Sequence, residues 1–198
     1  MTDSERDSYY ANRHQSYMRM YWEQNDGTDI YSPNGYRDEP TWICDCFCEQ
    51  ITHNGKVIDL GCGNGLMLKY LMEHTQFTLI PYGVDLLEPS IRQARNIIHP
   101  EYKSHFIVCN VADYEYEDAP FDFIFANPHY IYAGDMAEFL HNVLNACADG
   151  GRVIFYTYSD VLKHCGYPWV GEFSGVSELA IKRRDYPGVS FGIYDISS

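Results

Sequence analysis

Residues Lys56 to Gly65 read Lys-Val-Ile-Asp-Leu-Gly-Cys-Gly-Asn-Gly, an apolar run that ends in three glycines separated by single residues. Val57, Ile58 and Leu60 predict a buried parallel strand, and Leu66, Leu68, Tyr70, Leu71 and Met72 predict a helix that begins directly after Gly65. The glycines therefore fall at a strand-to-helix turn, where missing Cβ atoms permit a tight backbone and the close approach of a ligand. The following helix is expected to present free N–H groups to that ligand. A nucleotide-like molecule suits such a turn, although an ordinary tight turn between strand and helix has the same residues.

Two carboxylates narrow the choice. Asp59 stands two residues before Gly61, and Asp85 ends the next apolar run, Leu79 to Val84. Asp85 lies about 20 residues beyond the glycines, where nucleotide-binding folds place an acid against ribose hydroxyls. Dinucleotide enzymes more often have two residues between the second and third glycines, and this chain has one.

Asp59 to Gly65, Asp-Leu-Gly-Cys-Gly-Asn-Gly, resembles the first motif of the class I S-adenosylmethionine-dependent methyltransferases, Asp-Leu-Gly-Cys-Gly-x-Gly, at every fixed position. The resemblance spans about residues 55 to 196 and weakens at the segments expected to face substrate. It implies S-adenosyl-L-methionine as cofactor, held by Asp59, Gly61, Cys62, Gly63, Gly65, Asp85 and Leu86. It also implies that Asp113, after the third strand, accepts a hydrogen bond from the adenine amino group, with Ala112 supplying a backbone N–H. An Asx turn with a solvated carboxylate is the other reading of Asp113.

At 198 residues, 45% of them hydrophobic, the chain suits a full hydrophobic core. No run of 18 apolar residues appears and the N-terminus is polar, so a soluble, cytoplasmic protein with no membrane segment is expected. Seven cysteines, an odd number, are scattered through apparent core elements (Cys62, Cys109, Cys147) and one cluster, and are read as reduced thiols. Cys44, Cys46 and Cys48 have single-residue spacing unlike that of zinc sites, so no metal is expected. The formal net charge of -14 makes nucleic acid an unlikely partner, because phosphate backbones are bound by Lys and Arg. Lys182-Arg183-Arg184 reads as the solvated end of a strand.

Two units are expected: residues 1–55 as a helical and loop cap over the active site, and 56–198 as the cofactor-binding domain. In the cap, Ala11 to Trp22 predicts a helix with an aromatic stripe of Tyr10, Tyr17, Met18, Tyr21 and Trp22. Turn formers crowd 25–40, and a second helix is expected over Thr41 to Thr52. An aromatic, acidic lid carrying Tyr9, Tyr31, Tyr36 and Trp42 as well would favour a cationic or aromatic substrate. Packing of those rings on the core is the alternative.

From Lys56 onward strands and helices alternate, which predicts an α/β fold: a doubly wound, seven-stranded, mostly parallel sheet with an antiparallel C-terminal hairpin. The helix after the Leu79 to Val84 strand opens at Glu88-Pro89-Ser90, with proline suited to the first turn. Phe121 to Ala126 is the fourth strand, Gly134 to Ala148 a helix stopped by Asp149-Gly150-Gly151, and Val153 to Tyr156 the fifth strand. Ser159 to Cys165 is a short helix, and Glu178 to Arg184 with Val189 to Ile196 form the hairpin.

Asn127-Pro128-His129-Tyr130 ends the fourth strand, where open α/β sheets bind ligands. It resembles the Asn-Pro-Pro-Tyr motif of methyltransferases that act on planar or amide-like nitrogens. That likeness implies that Asn127, with the Pro128 carbonyl, accepts hydrogen bonds from substrate N–H groups and that Tyr130 stacks on the substrate plane. His129 replaces the second proline, a departure expected either to shift the loop or to add a base with a pKa near neutrality. Asn127, His129 and Tyr130 are therefore the catalytic candidates, and Asn127 also borders the cofactor. A small-molecule acceptor, nitrogen slightly favoured, is the leading expectation. The alternatives are a protein or nucleobase N-methyltransferase, a cofactor-binding but inactive partner subunit, or a non-methylating use of the sulfonium.

Overall fold

The computed structural model describes residues 3–19, 41–173 and 175–197. Seven strands build one sheet: β1 (Gly55–Leu60), β2 (Leu79–Asp85), β3 (Phe106–Val108), β4 (Phe121–Ala126), β5 (Cys147–Tyr158), β6 (Lys182–Tyr186) and β7 (Val189–Asp195). Their order is β3-β2-β1-β4-β5-β7-β6, with parallel pairs from β3 to β5 and β7 antiparallel to both neighbours. The expected doubly wound α/β fold is present. The chain winds outward from β1 in one direction, then returns beside it at β4, so the switch point lies between the carboxyl ends of β1 and β4.

Strands in the middle of this sheet are apolar on both faces because helices cover both. Ile58, Leu60, Ile124, Ala126, Val153 and Phe155 pack on one side, with Met136, Phe139, Leu140 and Val143 of α5 (Met136–Asn145). Val57, Phe123, Phe125, Ile154, Tyr156 and Phe191 pack on the other. There α2 (Thr41–Cys48) inserts Phe47, whose ring centroid lies 5.0 Å from those of Tyr156 and Phe191. α3 (Leu66–His74) and α4 (Glu88–Ile97) complete that side. Pro89 sits in the first turn of α4, where its missing N–H is harmless.

Several boundaries differ from expectation. α1 runs from Asp3 to Tyr17, eight residues ahead of the expected start at Ala11; its acids, near the positive end of the helix dipole, favour that earlier start. Residues 20–40, including Tyr21, Trp22, Tyr31 and Tyr36, lie outside the described residues, as does the side chain of Trp42. α2 stops at Cys48 because Gln50 turns back and donates to the Cys46 carbonyl (2.7 Å). α5 stops at Asn145 rather than Ala148. β5 begins at Cys147, with Asp149-Gly150-Gly151 carried inside it as an irregularity between the Phe121 and Phe123 pairings. α6 (Ser159–Cys165) matches expectation; the hairpin strand β6 starts at Lys182 because Val176–Glu178 forms a 3-10 turn. Lys182 of β6 pairs with Asp195 of β7, and Arg183 pairs with Asp185 within the edge strand β6.

Among the described residues no helix is long and apolar enough to cross a membrane, and no group of three His, Cys, Asp or Glu side chains is arranged around a metal position.

Candidate active site

The glycine turn rises from the end of β1 with φ of +98° at Gly61, +54° at Gly63 and +76° at Gly65, conformations that side chains with a Cβ rarely adopt. Its N–H groups are already engaged. Val84 O accepts from both Gly61 N (2.8 Å) and Cys62 N (3.0 Å), and Gly65 N donates to Cys62 O (3.0 Å). Gly63 N donates to Asp85 Oδ2 (2.9 Å). The turn thus offers a ligand close approach rather than free donors of its own. A pyrophosphate recognised through such N–H groups would find none here on these four.

Asp85 ends β2 with its second oxygen accepting from Leu87 N (2.8 Å). Burial raises its pKa, against the two backbone donors. Asp59, 2% exposed, has Oδ1 without a hydrogen-bond partner. Burial first, and then repulsion from Asp85, push its pKa up to about 8, with Tyr156 opposing through a hydrogen bond. Asp59 therefore keeps its proton at neutral pH, and a cation placed against its unsatisfied oxygen would favour the ionised form. Cys62 is buried beneath the turn and Leu86 lies half-buried beside Asp85.

Across the switch point, β4 delivers Asn127 into a 3-10 turn of Pro128–Tyr130. Asn127 is 2% exposed; its Oδ1 accepts from His129 N (3.1 Å), and its Nδ2 has no partner. Tyr130 returns over the glycine turn so closely that a Cβ on Gly61 would stand 2.8 Å from its ring. The loop after β4 and the glycine turn therefore touch.

α1 lies on this loop and presents cations and phenols to it rather than acids. Arg13 donates from Nη1 to His129 Nε2 (3.0 Å) and from Nη2 to the His129 carbonyl (3.1 Å), while Tyr9 OH donates to the same carbonyl (3.3 Å). Tyr17 meets Tyr130 edge-on at 5.9 Å. Arg6 is paired with Asp113 and with Asp135 (2.8 Å), and Tyr10 OH donates to Asp135 (2.8 Å). The residues that dock recur every three or four positions, which is one helix face.

That docking changes His129. An arginine can only donate, so Nε2 acts as acceptor and the ring is neutral with its proton on Nδ1. Burial lowers its pKa to about 4, assisted by Arg13 and His164 and opposed by Asp160. The expected base near neutrality is not there: the lone pair it would use is taken.

Ala112 and Asp113 sit in a 3-10 turn after β3. The Ala112 N–H is accepted by Asn110 Oδ1 (3.2 Å), and Asp113, half exposed, is held by Arg6. Both line an open polar cavity of about 650 Å³ between α1 and α5, with Glu115, Tyr116, Asp135 and Glu138.

The family model described as Methyltransferase domain matches residues 57–151. These residues form a class I S-adenosylmethionine-dependent methyltransferase domain. Tocopherol O-methyltransferase, chloroplastic, of Arabidopsis thaliana is 28% identical over 106 residues, 52% of this chain and 30% of that protein, so the chain spans about a third of that relative. The N-methyltransferase NodS of Bradyrhizobium japonicum WM9, in complex with S-adenosyl-L-homocysteine, aligns over 94% of this chain and all of its own at 15% identity and a TM-score of 0.65. The PH0226 protein of Pyrococcus horikoshii OT3 covers 92% and 99% at 21% identity and a TM-score of 0.64. At such identities the two structures share the fold.

In the methyltransferase domain and its N-terminal helix, sequence reasoning missed Arg6, Arg13 and Tyr156. Arg6 and Arg13 share a helical face with Tyr9, Tyr10 and Tyr17, a pattern the sequence contains but which reads as well for a solvated helix. Tyr156 looked like an ordinary strand residue; only pairing of β1, β4 and β5 brings it to Asp59.

Proposed function

We propose that this protein transfers a methyl group from S-adenosylmethionine to a small-molecule acceptor held between the Asn127–Tyr130 loop and α1. The observation that carries the reading is the contact of Tyr130 with Gly61: the loop that would hold an acceptor abuts the turn that would hold the cofactor. Gly61, Cys62, Gly63 and Gly65 let the cofactor lie against the backbone, and the remaining lone pairs of Asp85 accept the ribose hydroxyls, beside Leu86. Asp59, with its unpartnered oxygen, meets the cofactor's ammonium. Asp113 is offered to the adenine amino group on condition that Arg6 yields it, and Ala112 contributes its backbone shape because its N–H is engaged.

Methyl transfer from a sulfonium is an in-line displacement on an activated donor, so alignment and exclusion of water do most of the work. α1 supplies both by covering the loop, so the cap role is proposed for α1, residues 3–17. The seven free cysteines suit a reducing compartment such as the cytoplasm. The charge of -14 opposes a nucleic-acid substrate.

Calorimetric titration with S-adenosylmethionine, S-adenosylhomocysteine and NAD tests the cofactor. Both sulfur ligands bind, NAD does not, and Asp85→Ala weakens both. Heat from NAD alone would sink the proposal. Tight cofactor binding without turnover, together with a co-purifying second protein, would support an inactive partner subunit instead.

A further inference from the structure

The orientation of the Asn127 amide is set by a group that has no choice. The backbone N–H of His129 can only donate, and it points at Asn127 Oδ1; a flipped amide would set donor against donor. The atom left over is Nδ2, a donor buried without a partner. Buried donors in folded proteins are nearly always paired, so this one marks where a ligand atom belongs.

On the other side of His129 stands the Arg13 guanidinium, at 3.0 Å from Nε2 and 3.1 Å from the carbonyl. The groups facing His129 are Arg13 and Tyr9 from α1, Asp160, His164 and Cys165 from α6, and the rings of Tyr130 and Phe173. Cys165 Sγ lies 3.8 Å from Nδ1. Among the described residues, no carboxylate is hydrogen-bonded to Asn127, Arg13 or His129. The loop is therefore furnished with donors and a positive charge, and it contains no free base.

We propose that the methyl acceptor is an anionic oxygen, a carboxylate or a phenolate ionised at neutral pH, bound through Asn127 Nδ2 with Arg13 as the nearby counter-charge. This rests on the methyl-transfer reading above. An oxygen lone pair of the anion forms the new O–CH3 bond while the C–S bond breaks with its electron pair passing to sulfur. The sulfonium becomes a neutral thioether, the anion a neutral ester or ether, and no proton moves. An aliphatic amine would arrive as an ammonium needing a base to free its lone pair, and its N–H groups would meet another donor at Nδ2. The expectation of nitrogen rested on Asn127 as an acceptor; one lone pair of that oxygen already takes the His129 N–H, and the atom left wholly unpartnered is the donor Nδ2. Repulsion of an anion by the net charge of -14 is screened beyond about 8 Å at physiological ionic strength.

The substitution Asn127→Asp keeps an oxygen for the His129 N–H and places a second oxygen where the donor was. Protein loaded with S-adenosylhomocysteine is titrated with benzoate and with benzylamine, probes that share a ring and differ in charge, and the Asn127 side-chain amide is followed by NMR. Benzoate binds and shifts that amide, Asn127→Asp weakens it at least tenfold, Arg13→Gln weakens it several-fold, and benzylamine does not bind. The proposal is overturned by preference for benzylamine, by no benzoate binding at millimolar concentration, or by equal benzoate binding in wild type and Asn127→Asp. It is overturned as well if Asn127→Asp weakens S-adenosylhomocysteine tenfold, because Nδ2 then serves the cofactor carboxylate. Failure of the wild type to bind S-adenosylhomocysteine refutes the cofactor reading instead. Unchanged melting of both variants keeps misfolding out of the comparison.

Discussion

Gly61→Ala probes the contact between the two halves of the site. Two terms add. With φ at +98°, an alanine there costs about 1–2 kcal/mol in backbone strain. Its Cβ would also stand 2.8 and 2.9 Å from two ring carbons of Tyr130, so the ring has to retreat by roughly 0.7 Å or more to reach an ordinary carbon contact of about 3.5–4.0 Å. The backbone term alone lowers the melting temperature by roughly 2–8 °C, at about 2–4 °C per kcal/mol for a domain of this size. Displacement of Tyr130 adds to that, and a misplacement approaching 1 Å lowers turnover by about a hundredfold. Calorimetric melting of the ligand-free protein separates the terms if Gly61→Ala is made with and without Tyr130→Ala. The strain persists in the double variant and the steric part vanishes, giving a coupling between the two sites. Equal destabilisation in both backgrounds would refute the steric contact, and no destabilisation in either would refute the backbone argument too.

Asp59→Asn tests the buried acid. Asp59 holds its proton up to about pH 8 in the folded protein and loses it near 3.8 when unfolded, so the native state binds more protons between those values and its stability falls as pH rises through that window. The variant lacks this decline; its melting temperature relative to wild type rises from pH 4 to 8 and levels above, and parallel pH curves would refute the assignment. His129 has the opposite sign. Its folded pKa, about 4, lies below the ordinary 6.5, so its contribution is present above 6.5 and lost as pH falls toward 4. In Arg13→Gln the His129 NMR midpoint moves up toward 6.5, and an unmoved midpoint would show that Arg13 does not act on the ring.

The run from Lys56 to Gly65 determined much of this protein by itself. Strand and turn are written there in contiguous residues, through apolar periodicity and the backbone freedom of glycine, and with the helix from Leu66 and the alternating runs that follow, the fold class, the switch point and the positions of Asp59 and Asp85 were legible without coordinates. Ser159–Cys165 and Pro89 were legible for the same reason: their signals are local. The start of α1 and the length of β5 were not, because a polar helix face and a glycine-bearing strand are decided by what packs on them. The state of the site residues belongs wholly to the tertiary structure. No spacing relates Arg13 to His129, 116 positions apart, yet that contact turns an expected base into an occupied acceptor. The Asn127 amide, an acceptor by analogy, is turned so that its Oδ1 takes a backbone N–H two residues away and its Nδ2 is left without a partner. Hydrogen-bond partners and burial fix protonation and amide orientation, and both arise only when distant segments meet.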